Sequence, residues 1–281
     1  MQILSNVIVY FKKELSHIYD LKECESLAFI VIHKIFGYNK SEFILHSNDN
    51  ICKTQKKTIT YIIKKLKNNI PIQYILEEAY FFNLNFFVNS SVLIPRSETE
   101  ELANWVINDS VQKNSFLDIG TGSGCLIITL SKFLTGTFTA IDISSEALKV
   151  AKINNKKHNT DVSFVEMDIL NKENIISDKF DVIVSNPPYV VSSEKKHINK
   201  NVLDNEPHLA LFVSDEDPLI FYDNIIKRSK DLLSNEGCLF FEINENFGLE
   251  IIELLNDEGF VNIQLKKDIN GRDRMIKAVF K

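Results

Sequence analysis

The chain has 281 residues, of which 44% are hydrophobic and 25% are charged, and its formal net charge is −6. This composition is typical of a globular protein of one large or two modest domains, and the acidic balance disfavours a protein that grips nucleic acid by itself. The four cysteines form no C-x-x-C pair, no signal peptide precedes the chain's first helix, and no apolar run could span a membrane, so we expect a cytoplasmic protein.

The N-terminal part has the apolar spacing of helices. Apolar residues recur at helical intervals over 4–18, 27–35 and 59–66, and Gly37 offers a stop. These elements predict a small helical bundle over residues 1–72. The lysines of its last helix are more simply explained as a solvated face than as a docking surface for RNA or a ribosomal partner.

Residues 73–94 are rich in aromatic residues and predict a β-hairpin that links two domains. The next segment, Ser97-Glu98-Thr99-Glu100, matches a capping box. In that motif Ser97 accepts from the amide of residue 100 while the Glu100 side chain reaches back, so a helix is predicted to begin there.

From residue 115 onward, predicted strands and helices alternate. Strands are predicted at 115–119, 137–142, 162–166, 180–185, 237–243, 260–266 and 274–280. Helices are predicted at 123–134, 145–158, 217–234 and 247–257. Such alternation implies an α/β fold over 95–281, with a seven-stranded, mostly parallel sheet covered on both faces. The last two strands lack a connecting helix, so one of them should run antiparallel.

The first chemical signal is the glycine-rich turn Gly120-Thr121-Gly122-Ser123-Gly124, which follows a buried strand. Glycines let the backbone approach a ligand closely and tolerate positive φ. The spacing differs from the G-x-G-x-x-G of dinucleotide folds, and no Lys-Ser/Thr follows as in a phosphate-cradling loop. Asp142 ends the next strand, where a carboxylate can bind ribose hydroxyls. Together these features favour a nucleoside ligand over a purely structural turn.

The second signal is Asn186-Pro187-Pro188-Tyr189, at the carboxyl edge of the sheet, where ligands bind in open α/β folds. An amide NH₂ is planar and is a poor nucleophile while its lone pair is delocalised. The Asn186 side-chain oxygen and a prolyl carbonyl can each accept one N–H and favour a pyramidal transition state. Tyr189 can pack over the flat group. A tight proline turn is the weaker interpretation once the glycine loop is considered.

The glycine loop, Asp142 and the Asn186–Tyr189 motif resemble class I, Rossmann-like methyltransferases of the N-P-P-Y group. Four further segments resemble the HemK/PrmC family of peptide chain release factor N5-glutamine methyltransferases: Pro71–Leu76, Leu93–Glu100, Glu206–Leu211 and Gly271–Arg274. The resemblance covers nearly the whole chain, including the N-terminal helices. Two departures are Glu77, where that family commonly has Gly, and Ser97, where it commonly has Pro.

This resemblance implies methyl transfer from S-adenosyl-L-methionine, without a metal, to the glutamine amide of the Gly-Gly-Gln motif in class I release factors, with the N-terminal bundle docking the substrate protein. It implies cofactor contacts at Gly120, Thr121, Gly122, Ser123, Gly124, Asp142, Asp168, Ile169 and Asn186. It implies a glutamine pocket formed by Asn186, Pro187, Pro188 and Tyr189, of which Asn186, Pro187 and Tyr189 would be catalytic.

Several charged residues have two open interpretations. Arg96 either orders a loop over the site or pairs with Glu98 or Glu100. Glu206 either organises the substrate loop or is a surface carboxylate. The two arginines of the Gly271–Arg274 segment are expected to be structural or partner-facing rather than catalytic.

Three other functions remain open: a DNA adenine-N6 methyltransferase, a glutamine methyltransferase of a ribosomal protein, and a non-catalytic module that binds translation factors. Adenine presents a similar planar nitrogen, but such an enzyme must flip a base and hold a duplex, and the chain has no added recognition domain. The intact pocket motifs argue against a mere scaffold. We therefore expect a monomer that binds release factors, with no membrane and no direct nucleic-acid partner.

Overall fold

The computed structural model describes residues 1–171, 173 and 176–281. The chain divides into two compact units. The first is Met1–Leu76 together with Lys200–Asn205, and the second is Glu77–Asn199 together with Glu206–Lys281. The aromatic hairpin therefore belongs to the second unit. None of the helices within the described residues is long and apolar enough to cross a bilayer.

The first unit is a set of helices whose apolar faces pack together. They are α1 (Ser5–Leu15), α2 (Leu21–Phe36), α3 (Lys40–Leu45), α4 (Lys53–Leu66) and α5 (Ile72–Leu76). Asp20 caps α2 by accepting from the amide of Glu23, and Gly37 ends it in the left-handed conformation, which confirms the predicted stop. The core of this unit includes Val7, Phe11, Leu15, Val31, Ile59 and Ile63.

The second unit begins with a hairpin of β1 (Ala79–Phe81) and β2 (Leu84–Phe86), followed by α6 (Ser97–Asp109). The predicted helix start at residue 97 is confirmed, but the capping box is wrong. Arg96 occupies the N-cap without a side-chain cap. The Glu100 carboxylate instead accepts from the amide of Phe82 at 3.0 Å, because the hairpin turn offers it an unpaired donor.

Strands and helices then alternate to the end of the chain. The remaining strands are β3 (Ser115–Ile119), β4 (Thr137–Asp142), β5 (Val162–Glu166), β6 (Phe180–Ser185), β7 (Val190–Val191), β8 (Phe212–Val213), β9 (Leu233–Glu242), β10 (Val261–Lys267) and β11 (Asp273–Val279). The remaining helices of this unit are α7 (Cys125–Phe133), α8 (Ser145–His158), α10 (Ile220–Leu232) and α11 (Gly248–Asp257), whereas α9 (Lys200–Asn205) belongs to the first unit.

Seven of these strands form one sheet in the order β10-β11-β9-β6-β3-β4-β5. Only β11 runs antiparallel to its neighbours; the other adjacent pairs are parallel. The predicted seven-stranded, mostly parallel sheet with one reversed strand is thus confirmed. From β3 the chain winds outward to β5 and then returns to β6 on the other side. This reversal is a topological switch point, where open α/β sheets bind ligands.

A buried asparagine joins the hairpin to the glycine-rich turn. Asn154 on α8 accepts from the amide of Phe87 at 2.7 Å and donates to the carbonyls of Phe87 and Ser123 at 2.9 Å each. Its side chain is fully buried, so no solvent replaces these bonds if they are lost. One polar residue therefore ties three chain segments together behind the turn.

We expect Asn154→Ala to lower the free energy of unfolding by about 2–4 kcal/mol, because buried backbone groups of Phe87 and Ser123 lose their partners. Urea denaturation measures this change. Lys152→Ala is the matched control, since Lys152 is exposed on the same helix. Equal stability of the two variants would contradict the role given to Asn154.

Candidate active site

A cavity opens at the carboxyl ends of β3, β4 and β6. Gly120 and Gly122 line it with φ angles of 77° and 55°, in the left-handed region that favours glycine. A Cβ atom at either position would meet nothing within 4 Å, so these glycines are needed for backbone conformation rather than for space. Gly124 also has a left-handed φ of 77°, and in addition its Cβ would lie 2.9 Å from Cδ1 of Ile128, so it also allows close packing at the start of α7.

Asp118, near the end of β3, stabilises the glycine-rich turn through a hydrogen bond. This carboxylate is buried, and its Oδ2 accepts from the Thr121 hydroxyl at 2.7 Å. Burial raises the pKa of Asp118 from its ordinary value near 3.8 to about 7, against the bond from Thr121, and the charge of Asp142 adds to the rise. The glycine-rich turn therefore rests on a carboxyl group whose protonation changes near pH 7.

Asp142 fixes the other side of the turn. Its Oδ2 accepts from the amide of Gly122 at 2.8 Å, and its Oδ1 accepts from the amide of Ser144 at 2.9 Å. Each carboxylate oxygen has more than one lone-pair site, so both can still accept from a pair of neighbouring hydroxyls. Burial raises the pKa of Asp142, while the amides of Ser144 and Gly122 oppose the rise.

An apolar wall faces this carboxylate. Met167, Asp168 and Ile169 follow β5 and line the cavity, and the Ile169 side chain is buried. Asp168 also orders the turn, because its Oδ1 accepts from the amide of Leu170 at 2.9 Å. The wall offers apolar contact next to a carboxylate, which suits a flat heterocycle with polar edges.

The Asn186–Tyr189 motif lies on a buried network of side chains. The Asn186 amide Nδ2 donates to Thr99 Oγ1 at 3.0 Å, and Thr99 Oγ1 donates to Glu242 Oε2 at 2.6 Å. The Tyr189 hydroxyl donates to Glu242 Oε1 at 3.0 Å. Thr99 comes from the first turn of α6 and Glu242 from the last residue of β9, so two distant elements support the motif.

Sequence reasoning missed Thr99 and Glu242 as members of the site. The available signals were the position of Thr99 in the Leu93–Glu100 segment and the lone carboxylate that ends the apolar strand Leu239–Phe241. Both side chains are buried, at 4% and 1% exposure, which a threonine and a glutamate rarely are without partners.

Burial raises the pKa of Glu242, whereas hydrogen bonds from Thr99 and Tyr189 and the charge of Arg274 lower it. Burial, together with the Glu242 charge, raises the pKa of Tyr189 well above its usual value, so the phenol stays protonated and donates. The hydroxyl of Tyr222 donates to the backbone oxygen of Glu242 at 3.1 Å. Glu242 is therefore fixed by hydrogen bonds to both its carboxylate oxygens and its backbone carbonyl oxygen.

Two chain segments meet at the edge of the cavity, and together they form a strap: residues 94–96 and Glu206. Arg96 Nη2 pairs with Glu206 Oε1 at 2.7 Å, and the amide of Ile94 donates to Glu206 Oε2 at 3.1 Å. Of the two interpretations of Arg96, the pairing with Glu98 or Glu100 is wrong, because the guanidinium pairs with the buried carboxylate of Glu206 instead. For the same reason Glu206 is not a surface group: it is only 4% exposed and orders the strap.

The two arginines near the C-terminus differ in their surroundings. Arg274 Nη1 donates to the carbonyl of Ile243 at 3.0 Å, and its Nε lies 3.4 Å from Asp268 Oδ2. It thereby ties the end of β9 to the turn before β11. Arg272 is exposed and pairs with Glu245 at 3.1 Å.

The structure brings most of the predicted site residues into one cavity. They are Gly120, Gly122, Asp142, Asp168, Ile169, Asn186, Pro187 and Pro188. Thr121 and Ser123 line a smaller adjoining cavity, which Asn186 also borders. Gly124 and Tyr189 line neither cavity. No cluster of His, Cys, Asp or Glu that could hold a metal occurs in the described part of the chain.

Known protein families match both the N-terminal helical part and the α/β part of the chain. A family model for the methyltransferase small domain matches residues 99–210, and one for the PrmC N-terminal domain matches residues 7–76. The release factor glutamine methyltransferase of Flavobacterium psychrophilum is 45% identical over 99% of this chain and 100% of its own length. The chain belongs to the release factor glutamine methyltransferase family. The family member from Bacteroides thetaiotaomicron is 38% identical over 98% of this chain and 99% of its own.

A solved structure supports the fold of this family member. The methyltransferase from Pyrococcus furiosus superposes with a TM-score of 0.51 at 16% identity, covering 81% of this chain and 98% of its own. At that identity the likeness concerns the fold alone.

The raised pKa of Asp118 predicts a pH dependence of stability. The folded state binds this proton more tightly than the unfolded chain, so the stabilisation is present below pH 4 and is lost as pH rises through about 7. Between these values the free energy of unfolding should fall by about 1.4 kcal/mol per pH unit through this group.

We expect Asp118→Asn to remove that fall relative to the unmodified chain, as measured by urea denaturation from pH 4 to 8 without methyl donor. Asp257→Asn is the control, because Asp257 is exposed and should leave the slope unchanged. An unaltered slope in Asp118→Asn would refute the assignment.

Proposed function

We propose that this chain transfers the methyl group of S-adenosyl-L-methionine to the side-chain amide nitrogen of the glutamine in the Gly-Gly-Gln motif of class I peptide chain release factors. Family membership supports the reaction, since relatives that match over nearly the whole chain are release factor glutamine methyltransferases. The modification of such a motif would support translation termination, and we propose that the reaction takes place in the cytoplasm.

The residues of the main cavity fit S-adenosyl-L-methionine in their chemistry. Asp142 keeps acceptor sites for the ribose hydroxyls, and Ile169 and Met167 give the adenine an apolar wall beside Asp168. Gly120 and Gly122 allow the backbone to approach the ligand closely. The bound cofactor supplies an electrophilic methyl group on a sulfonium, and the chain's own residues do the rest.

The observation that carries the proposal is the orientation of the Asn186 amide. Its Nδ2 is committed to Thr99, and no other hydrogen bond of this side chain occurs among the described residues. Its Oδ1 can therefore accept an N–H from a substrate at the cavity that Asn186 borders. Pro187 and Pro188 line the same cavity, and a prolyl carbonyl supplies the second acceptor that a primary amide needs.

Two fixed acceptors act on the substrate nitrogen in a defined way. They hold both N–H bonds and stabilise the positive charge that grows on nitrogen as its lone pair turns toward the methyl carbon. The transfer forms an N–C bond and breaks the S–C bond, and one amide proton then leaves to solvent. The reaction thus depends on the position of the substrate nitrogen and needs neither a general base nor a covalent enzyme intermediate.

We further propose that the helical unit Met1–Leu76 docks the release factor. Its match to the PrmC N-terminal domain supports this role, because that domain accompanies the catalytic domain in the relatives. Thr121 and Ser123 are proposed to contact the methionine part of the cofactor from the adjoining cavity.

The decisive assay incubates the protein with isotope-labelled methyl donor and, in separate reactions, a class I release factor, its Gly-Gly-Gln→Gly-Gly-Ala variant, a ribosomal protein mixture and DNA. We expect label on the release factor alone and none on the alanine variant. Asn186→Ala should lower turnover by about a hundredfold, because one transition-state acceptor is lost, and should weaken donor binding far less than that.

Lys152→Ala serves as the control for nonspecific loss of activity in this assay. Label on DNA or on a ribosomal protein would reassign the acceptor. Near-normal turnover by Asn186→Ala would contradict the role of that amide. Binding of the donor without labelling of any acceptor would favour a non-catalytic binding module.

A further inference from the structure

The hydrogen bonds from Asn186 to Thr99 and from Thr99 to Glu242 can have only one order of donors and acceptors, because few protons are available. A threonine hydroxyl has one proton, and that of Thr99 is donated to Glu242 at 2.6 Å. Thr99 Oγ1 can therefore only accept from its other neighbour, so it must face a donor. Nδ2 of Asn186 is that donor, at 3.0 Å, and Oδ1 is turned to the opposite side.

Glu242 sets this direction because an ionised carboxylate only accepts. One of its oxygens accepts from Thr99 and the other from Tyr189. Burial raises the pKa of Glu242, and the charge of Arg274, which is fixed by Asp268 and the carbonyl of Ile243, opposes that rise; the hydroxyl donor on each carboxylate oxygen is the geometry of a group that only accepts. A neutral amide at position 242 would present a donor to one of the two hydroxyls and disturb the order.

Resting on the function proposed above, we propose that Thr99 and Glu242 are positioning residues, which orient the Asn186 amide with its oxygen toward the substrate nitrogen. Neither residue borders the main cavity; Thr99 lines the smaller adjoining cavity, where the only side-chain hydrogen bonds that it makes within the described part of the chain join it to Asn186 and Glu242. The reversed amide would point N–H donors at an NH₂ group that also donates, and would remove an acceptor from the reacting nitrogen.

A purely structural role predicts a different outcome from a positioning role. Thr99 and Thr129 are both buried threonines of the same unit, at 4% and 0% exposure. The Thr129 hydroxyl has no hydrogen-bond partner among the described residues, whereas that of Thr99 links two site residues. Replacement by valine is therefore the same change in volume and burial at both positions. Only the replacement of Thr99 removes the hydrogen bonds to Asn186 and Glu242.

We expect Thr99→Val to lower kcat by about tenfold or more, the effect of losing one charge-assisted hydrogen bond, with donor Kd unchanged. Thr99→Ser keeps the hydroxyl and should recover most of that loss. Thr129→Val should leave kcat unchanged. Glu242→Gln gives the same comparison if Thr99→Val lowers the yield of folded protein.

Two further measurements separate positioning from simple destabilisation. The side-chain amide NMR signals of Asn186, identified by their absence in Asn186→Ala, should move in Thr99→Val and stay in place in Thr129→Val. In a double-mutant cycle, Thr99→Val should have no further effect on kcat once Asn186 is alanine, because it acts through that side chain.

Normal kcat or unmoved amide signals in Thr99→Val would overturn the proposal, and so would additive losses in the double variant. These outcomes differ from failure of the proposed function itself. In that case Asn186→Ala alone would keep normal turnover, or no glutamine would be labelled by any variant.

Discussion

The shared edge formed by parallel strands is the constraint on which the rest of this molecule depends. Because β3, β4, β6 and β9 run in the same direction, their carboxyl ends meet along one side of the sheet. Three of these strands end in or just before a polar site residue: Asp142 is the last residue of β4, Asn186 follows β6 and Glu242 is the last residue of β9. The proposed methyl-donor half and the proposed glutamine-binding half of the site are therefore neighbours because of the sheet topology.

The two halves are built by different means, and this difference decided what the sequence could predict. The donor half is local: Gly120, Gly122 and Asp142 belong to consecutive strand ends, and main-chain amides satisfy the carboxylate. Such a site leaves a compact motif. The helix predicted at 145–158 was likewise confirmed in full, because Ser144 caps it and Asn159 ends it in the left-handed conformation.

The proposed glutamine-binding half depends on side chains far apart in sequence, and there the sequence predicted the Asn186–Tyr189 motif but not the residues that hold it. Thr99 bonds to a residue 143 positions away and Arg96 to one 110 positions away, and neither spacing carries a periodic signal. The capping box at Ser97 was wrong for the same reason, since Glu100 has a long-range partner. At Glu77 the structure explains a departure that the sequence only recorded. Its φ of 55° lies in the left-handed region, which accounts for the family preference for glycine at this position.

The account's central claim is that Asn186 presents its oxygen to the substrate nitrogen while its own nitrogen rests on Thr99. A crystal structure with S-adenosylhomocysteine and a Gly-Gly-Gln peptide measures this most directly. The account predicts the glutamine amide nitrogen within about 3.2 Å of Asn186 Oδ1, with the bond from Nδ2 to Thr99 retained. A glutamine nitrogen with no contact to Oδ1, or an Asn186 amide turned away from Thr99, would contradict it.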